Sequence, residues 1–190
     1  CFTSLTKKNF YLTLPDLLGV LCGGACDEKF FNFGEKIHPP EGGVNRKFIA
    51  QKFYNEAISA VANVIDRADT NHLSIIVTDL FESDADWSNV TKKIRDKFFV
   101  NHLSVAVIGI KNSFKGEIFD VGLNAAKFNY NSFDNPDRFR PFYLLILGRD
   151  DLVKNFLIKF SERQTLPNDT GYLILSENLT VTASDFSSFE

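Results

Sequence analysis

At 190 residues the chain is long enough for one domain with a sizeable core, and its 44% apolar and 24% charged residues are ordinary for a globular protein. A net charge of −3 argues against a nucleic-acid-binding surface, and no apolar run approaches the ~20 residues of a membrane span. Twenty Phe beside five Tyr and one Trp point to an aromatic core. The chain starts at Cys1 and holds no Met, so a processed product, an excised piece or a chain with missing residues is expected.

Thr13-Leu14-Pro15-Asp16 opens a helix: Thr13 can cap it, Pro15 suits its first turn and Asp16 faces the positive end of its dipole. Leu17, Leu18, Val20 and Leu21 supply its apolar face. Cys22 and Cys26 fall on one helical face without a second pair at metal spacing, which reads as small buried thiols and favours a reducing compartment. A cytoplasmic location follows, with the cell surface or secretion as alternatives.

Lys29–Ile37 is predicted as a strand, and Pro39-Pro40-Glu41-Gly42-Gly43 as a loop. Asn55–Ala68 is predicted as a helix, with Ala57, Ile58, Val61, Ala62 and Ile65 at spacings of three and four. Leu73–Val77 is a short apolar run without alternation, the pattern of a strand buried on both faces. It ends in Thr78 and Asp79, and Glu82, Asp84 and Asp86 follow. The acids read either as oxygen ligands for Mg²⁺ or Ca²⁺ or, for Ser83, Asp84 and Asp86, as a capping box at the start of a helix over Asp84–Val100.

Leu103–Ile110 is a second buried strand, and Glu117–Val121 a strand of alternating type. Residues 124–139 read as an aromatic loop. Its Phe128, Tyr130, Phe133 and Phe139 either form a partner-binding surface or fold back over the sheet. Pro141–Leu147 is a third apolar strand and Asp151–Ser161 a helix; Tyr172–Leu175 and Thr180–Ala183 are short strands.

Strands alternating with helices predict a three-layer, Rossmann-like α/β fold: an open, mainly parallel sheet with helices on both faces and a short β-hairpin extension. Leu73–Val77, Leu103–Ile110 and Phe142–Leu147 are expected as parallel central neighbours. Asn71-His72-Leu73-Ser74 and Asn101-His102-Leu103-Ser104 repeat at helix-to-strand junctions, with Asn suited to the left-handed turn. Both His would lie at the amino ends of their strands, away from the edge where α/β sheets bind ligands.

The order FNFGEKI (Phe31–Ile37), Glu41-Gly42-Gly43 before a helix, IIVTDL (Ile75–Leu80), LSVAVIGI and PFYLLIL resembles a von Willebrand factor A-like domain over most of residues 10–160. The resemblance implies a divalent metal at the carboxyl edge of the sheet, in a degenerate site. Asp79 matches one ligand motif, Val44 stands where the family has an oxygen-bearing Thr, and the D-x-S-x-S motif would precede Cys1. It also implies that residues 1–190 form one domain lacking its first strand. The implied metal ligands are Asp79, Glu82 and Asp84, and the implied partner contacts are Gly42, Gly43, Asn45 and Phe81.

The function expected on this reading is a non-enzymatic protein-interaction module, with or without Mg²⁺ or Ca²⁺. It would take a protein partner, no nucleic acid and no membrane span. A metal-dependent hydrolase of the phosphoesterase kind using the Asp79 cluster is the alternative, and a structural domain of a larger assembly a third.

Overall fold

The computed structural model describes Leu14 and residues 17–21, 27, 29–38, 60–80, 87–120, 126–162 and 170–176. They divide into two compact units. One collects the described residues up to Ala60 together with Lys111–Arg140; the other collects Val61–Leu80, the described part of Asp86–Ile110, and the described residues from Pro141 onward.

In the first unit Leu14 and residues 17–21 are helical, with Leu14 and Leu21 buried. Val20, expected on the apolar face, is instead 51% exposed. The predicted strand Lys29–Ile37 is broken. Strand β1 (Asn32–Phe33) and strand β2 (Ile37–His38) pair antiparallel, Phe33 opposite Ile37, around a turn in which Gly34 N–H donates to Lys36 O at 3.0 Å. Gly34 sits where the run of Phe stops, and the chain reverses there.

The same unit holds the antiparallel hairpin of β5 (Lys115–Asp120) and β6 (Ala126–Asn131). The register places Gly116 opposite Tyr130 and Ile118 opposite Phe128 on one face, with Lys115, Glu117, Asn129 and Asn131 exposed on the other. Beyond the ladder, Phe114 N–H donates to Ser132 Oγ and Ser132 N–H donates to Phe114 O, both at 2.9 Å. These bonds satisfy the backbone donors of Phe114 and Ser132, both buried at the base of the hairpin. Residues 126–131 are therefore strand, where the sequence reads as loop. Asn129 and Asn131 alternate with Phe128 and Tyr130, but with strand-depleted Asn on the wet side the signal is weak.

The second unit is built on a four-stranded sheet in the order β3 (Ser74–Thr78), β7 (Arg140–Gly148), β4 (Ser104–Asn112), β8 (Thr170–Leu175). The expected parallel arrangement is overturned. Strand β7 lies between β3 and β4, β3 pairs with β7 antiparallel (Ser74 opposite Leu147, Thr78 opposite Tyr143), and β4 pairs with β8 antiparallel (Val105 opposite Leu175). The sheet is antiparallel, not the mainly parallel sheet of a Rossmann-like or A-like fold. The connection explains this. A parallel neighbour needs a crossover, usually a helix, but between β4 and β7 the described chain makes a hairpin and the single turn Pro136–Arg138.

On one sheet face Ala106, Ile108, Ile110, Phe142, Leu144 and Ile146 are fully buried, while Ile75 and Val77 on β3 and Tyr172 and Ile174 on β8 are half-buried. The other is buried at Ile76, Leu145, Leu147 and Val105 and opens toward the edge, where Leu173 and Leu175 are exposed. Central strands covered on both faces carry no alternation, whichever way they run, so burial was legible for β4 and β7 and direction was not; β3, expected as a central strand buried on both faces, is an edge strand and is mostly half-buried.

Among the described residues of this unit three α-helices accompany the sheet. Helix α1 (Val61–Arg67) buries Val61, Ala62 and Ile65, a shorter span than predicted, with residues 55–59 outside the described set. Helix α2 (Trp87–Ile94) buries Val90, packs on α1 and runs into a π-turn over Arg95–Phe99 that buries Phe98. Helix α3 (Asp150–Ser161) turns Val153, Phe156, Leu157 and Phe160 inward at spacings of three and four, with the Phe156 and Phe160 rings stacked at 5.6 Å. Among the described residues no helix is long and apolar enough to cross a membrane. The tail strand expected at Thr180–Ala183 lies outside the described residues.

Candidate functional site

Of the residues assigned to a metal, Asp79 is described; Glu82 and Asp84 lie outside the described residues, as do Gly42, Gly43, Asn45 and Phe81. Asp79 is exposed at the carboxyl end of β3. Beside it Leu80 takes the left-handed conformation at φ 58°, and its N–H donates to Thr78 Oγ1 at 3.0 Å. Among the described residues no group of three His, Cys, Asp or Glu is close enough to hold an ion.

The opposite end of the sheet is more densely polar. His72 precedes β3 with its Nδ1 at 2.8 Å from Asp69 Oδ2, and the backbone N–H of Asn71 donates to Asp69 Oδ1 at 2.8 Å. These bonds, the backbone donor first and the imidazole second, hold the Asp69 carboxyl below its usual range. At the matching junction before β4 it is His102, not Asn101, that adopts the left-handed turn, at φ 54°. Asn101 instead uses its side chain to cap Lys97 O at 2.8 Å.

Next to these junctions Asp150, at the start of α3, accepts from the wholly buried hydroxyl of Ser104 and, at 3.4 Å, from Ser176 Oγ. Arg149 grips Asp151 with two donors, at 3.0 and 2.6 Å, and this holds the Asp151 carboxyl down. Ser104 cannot reach a substrate from full burial, so this corner ties β4, β8 and α3 together.

Between α1 and α2 an open depression of about 480 Å³ is lined by Lys92, Lys93, Lys97 and Asp66 among others. Its charges are mostly spent within the protein. Lys93 pairs with Asp66, Lys97 donates to the carbonyls of Ile65 and Asp66, and Asp96 holds Arg95.

The hairpin unit carries the surface least explained by folding. Tyr130 is anchored from two sides: its hydroxyl donates to Arg138 O at 2.6 Å, and the Phe114 ring lies 6.2 Å away, centroid to centroid. Over the Tyr130 ring sit two guanidiniums, Arg138 at 5.0 Å and Arg140 at 5.4 Å from the centroid. The turn that presents them is fixed by Asn135, whose Oδ1 accepts from Asp137 N–H at 3.1 Å, and by Pro136 at its first position. Both arginines are exposed, and neither is ion-paired among the described residues. Two residues before Tyr130 on the same face, Phe128 is 45% exposed.

Tyr130, Phe133 and Phe139 are half-buried, and Phe128 faces outward. Arg138 and Arg140 were not singled out from the sequence; an Arg on each side of Phe139, eight and ten residues past Tyr130, was the available signal. No family model, no curated protein and no solved structure matches the chain.

Proposed function

We propose that the chain is a non-enzymatic protein-interaction module whose contact surface is the β5–β6 hairpin with the turn that follows it. The observation that carries this reading is the grouping of an exposed Phe128 with two exposed guanidiniums, neither ion-paired among the described residues, on an anchored Tyr130. Arg and aromatic residues are enriched where protein surfaces meet, because each combines a large apolar contact area with directed polar groups. The phosphoesterase alternative leans on Asp79, Glu82 and Asp84, of which Asp79 alone is described, and no observation favours it.

The test places a photoreactive phenylalanine analogue at position 128 and irradiates cells that produce the chain. A discrete protein adduct is expected, lost when Arg138 and Arg140 are both changed to Glu. An adduct that forms equally from an analogue at exposed Asp134 and survives the double change would dismiss this surface as the contact.

A further inference from the structure

We infer that the partner seated on the β5–β6 surface is an extended acidic protein segment carrying an aromatic or aliphatic side chain among its carboxylates. The inference rests on the interaction-module reading and names what that surface selects. Arg138 and Arg140 share one ring, so their like charges face each other within roughly a Debye length, ~10 Å. The negative face of Tyr130 offsets part of that repulsion, and an incoming carboxylate offsets more.

The guanidinium fork matches a carboxylate with two parallel N–H bonds, which a Lys pair does not. Because the Tyr130 hydroxyl and the Asn135-capped turn already hold the loop, little ordering remains to oppose binding. Phe128 supplies the apolar half of the recognition on the same face of β6.

Charge on the neighbouring residues selects the class of partner. A single-stranded nucleic acid needs a track of cations that follows successive phosphates. Here two cations stand at one spot, with exposed Asp134 and Asp137 in the same turn and a chain net charge of −3. That arrangement suits one or two carboxylates beside an apolar side chain.

The experiment uses the full chain and fluorescence anisotropy with dye-labelled peptides of alternating Glu and Phe, Gln and Phe, and Lys and Phe, beside an oligouridylate RNA. The Glu–Phe peptide is expected to bind alone among the four, and more weakly as salt is raised. Changing Arg138 and Arg140 together to Gln should weaken it about five- to tenfold, with the unfolding midpoint unmoved. Phe128→Ala should weaken it less and leave the salt dependence in place. Failure of the Glu–Phe peptide to bind, equal binding of the Gln–Phe peptide, or preference for the RNA each overturns the inference. A position-128 adduct whose contact segment is not acidic sinks the inference and leaves the interaction-module reading standing.

Discussion

The corner made by Ser104, Asp150 and Ser176 shows how a single carboxylate can matter more for folding than for chemistry. Ser104 is wholly buried, and its hydroxyl donates to Asp150. Removing the acceptor strands a buried donor, which costs about 1–3 kcal/mol. We expect Asp150→Ala to lower the unfolding free energy by that amount, read as a fall in the urea midpoint with the slope of the transition unchanged, and Ser104→Ala to lower it less, since a half-buried Asp150 keeps Ser176 and water. Equal losses would show that the serine packs rather than donates.

Two exposed carboxylates set the acid response nearby. Asp69 is held down by the Asn71 N–H and His72, and Asp151 by Arg149, relative to an ordinary value of 3.8. A lowered folded value means that the stabilisation is present above 3.8 and is lost as pH falls through the lowered value. Urea midpoints measured against pH should therefore drop in that acid window, and the Asp69→Asn, Asp151→Asn double variant should drop less steeply. Salt will reduce the difference, because both groups face solvent.

At the scale of elements, the join between α1 and α2, already tied by the Lys93–Asp66 pair, is reinforced by a long side chain just beyond α2. Lys97, inside the π-turn, donates to the carbonyls of Ile65 and Asp66. The last carbonyls of a helix lack internal partners and carry its negative dipole end, so an ammonium there is worth about 0.3–1 kcal/mol. Lys97→Met keeps the apolar stem and removes the donor. It should speed amide hydrogen exchange in Val61–Arg67 while leaving α3 as protected as before.

The elements most legible in the sequence were those whose pattern has one physical solution. The runs around Ile75–Val77, Val105–Ile110 and Phe142–Leu147 are strands because β-branched and aromatic runs bounded by polar turns have nowhere else to go. Helix α3 showed its face at Leu157 and Phe160 for the same reason. Pairing was not legible, because it depends on which later segment slots beside which earlier one, and Leu144 or Ile146 packs equally well in either direction. The hairpin strand β6 was missed because only Phe128 and Tyr130 mark it. At the candidate surface the aromatics were visible in the sequence and the guanidiniums on Tyr130 were not, since that contact is made across a turn.

At the scale of the whole chain, β4 and β7 are neighbours in one sheet, with Gly109 against the Tyr143 ring, yet Lys111–Arg140 belongs to the other unit. The excursion leaves the sheet after Asn112, at the end of β4, and re-enters it at Arg140, at the start of β7. Replacing residues 111–140 with an Asn-Gly turn would make β4 and β7 an ordinary hairpin. We expect the shortened chain to keep the cooperative unfolding of the sheet unit, followed by circular dichroism, and to lose binding of acidic peptide entirely.

A detour whose two ends are anchored side by side adds little closure entropy as it lengthens, roughly 0.6 kcal/mol for each doubling. The excursion can therefore lengthen, or change what it binds, at little cost to the pairing of the two strands that flank it.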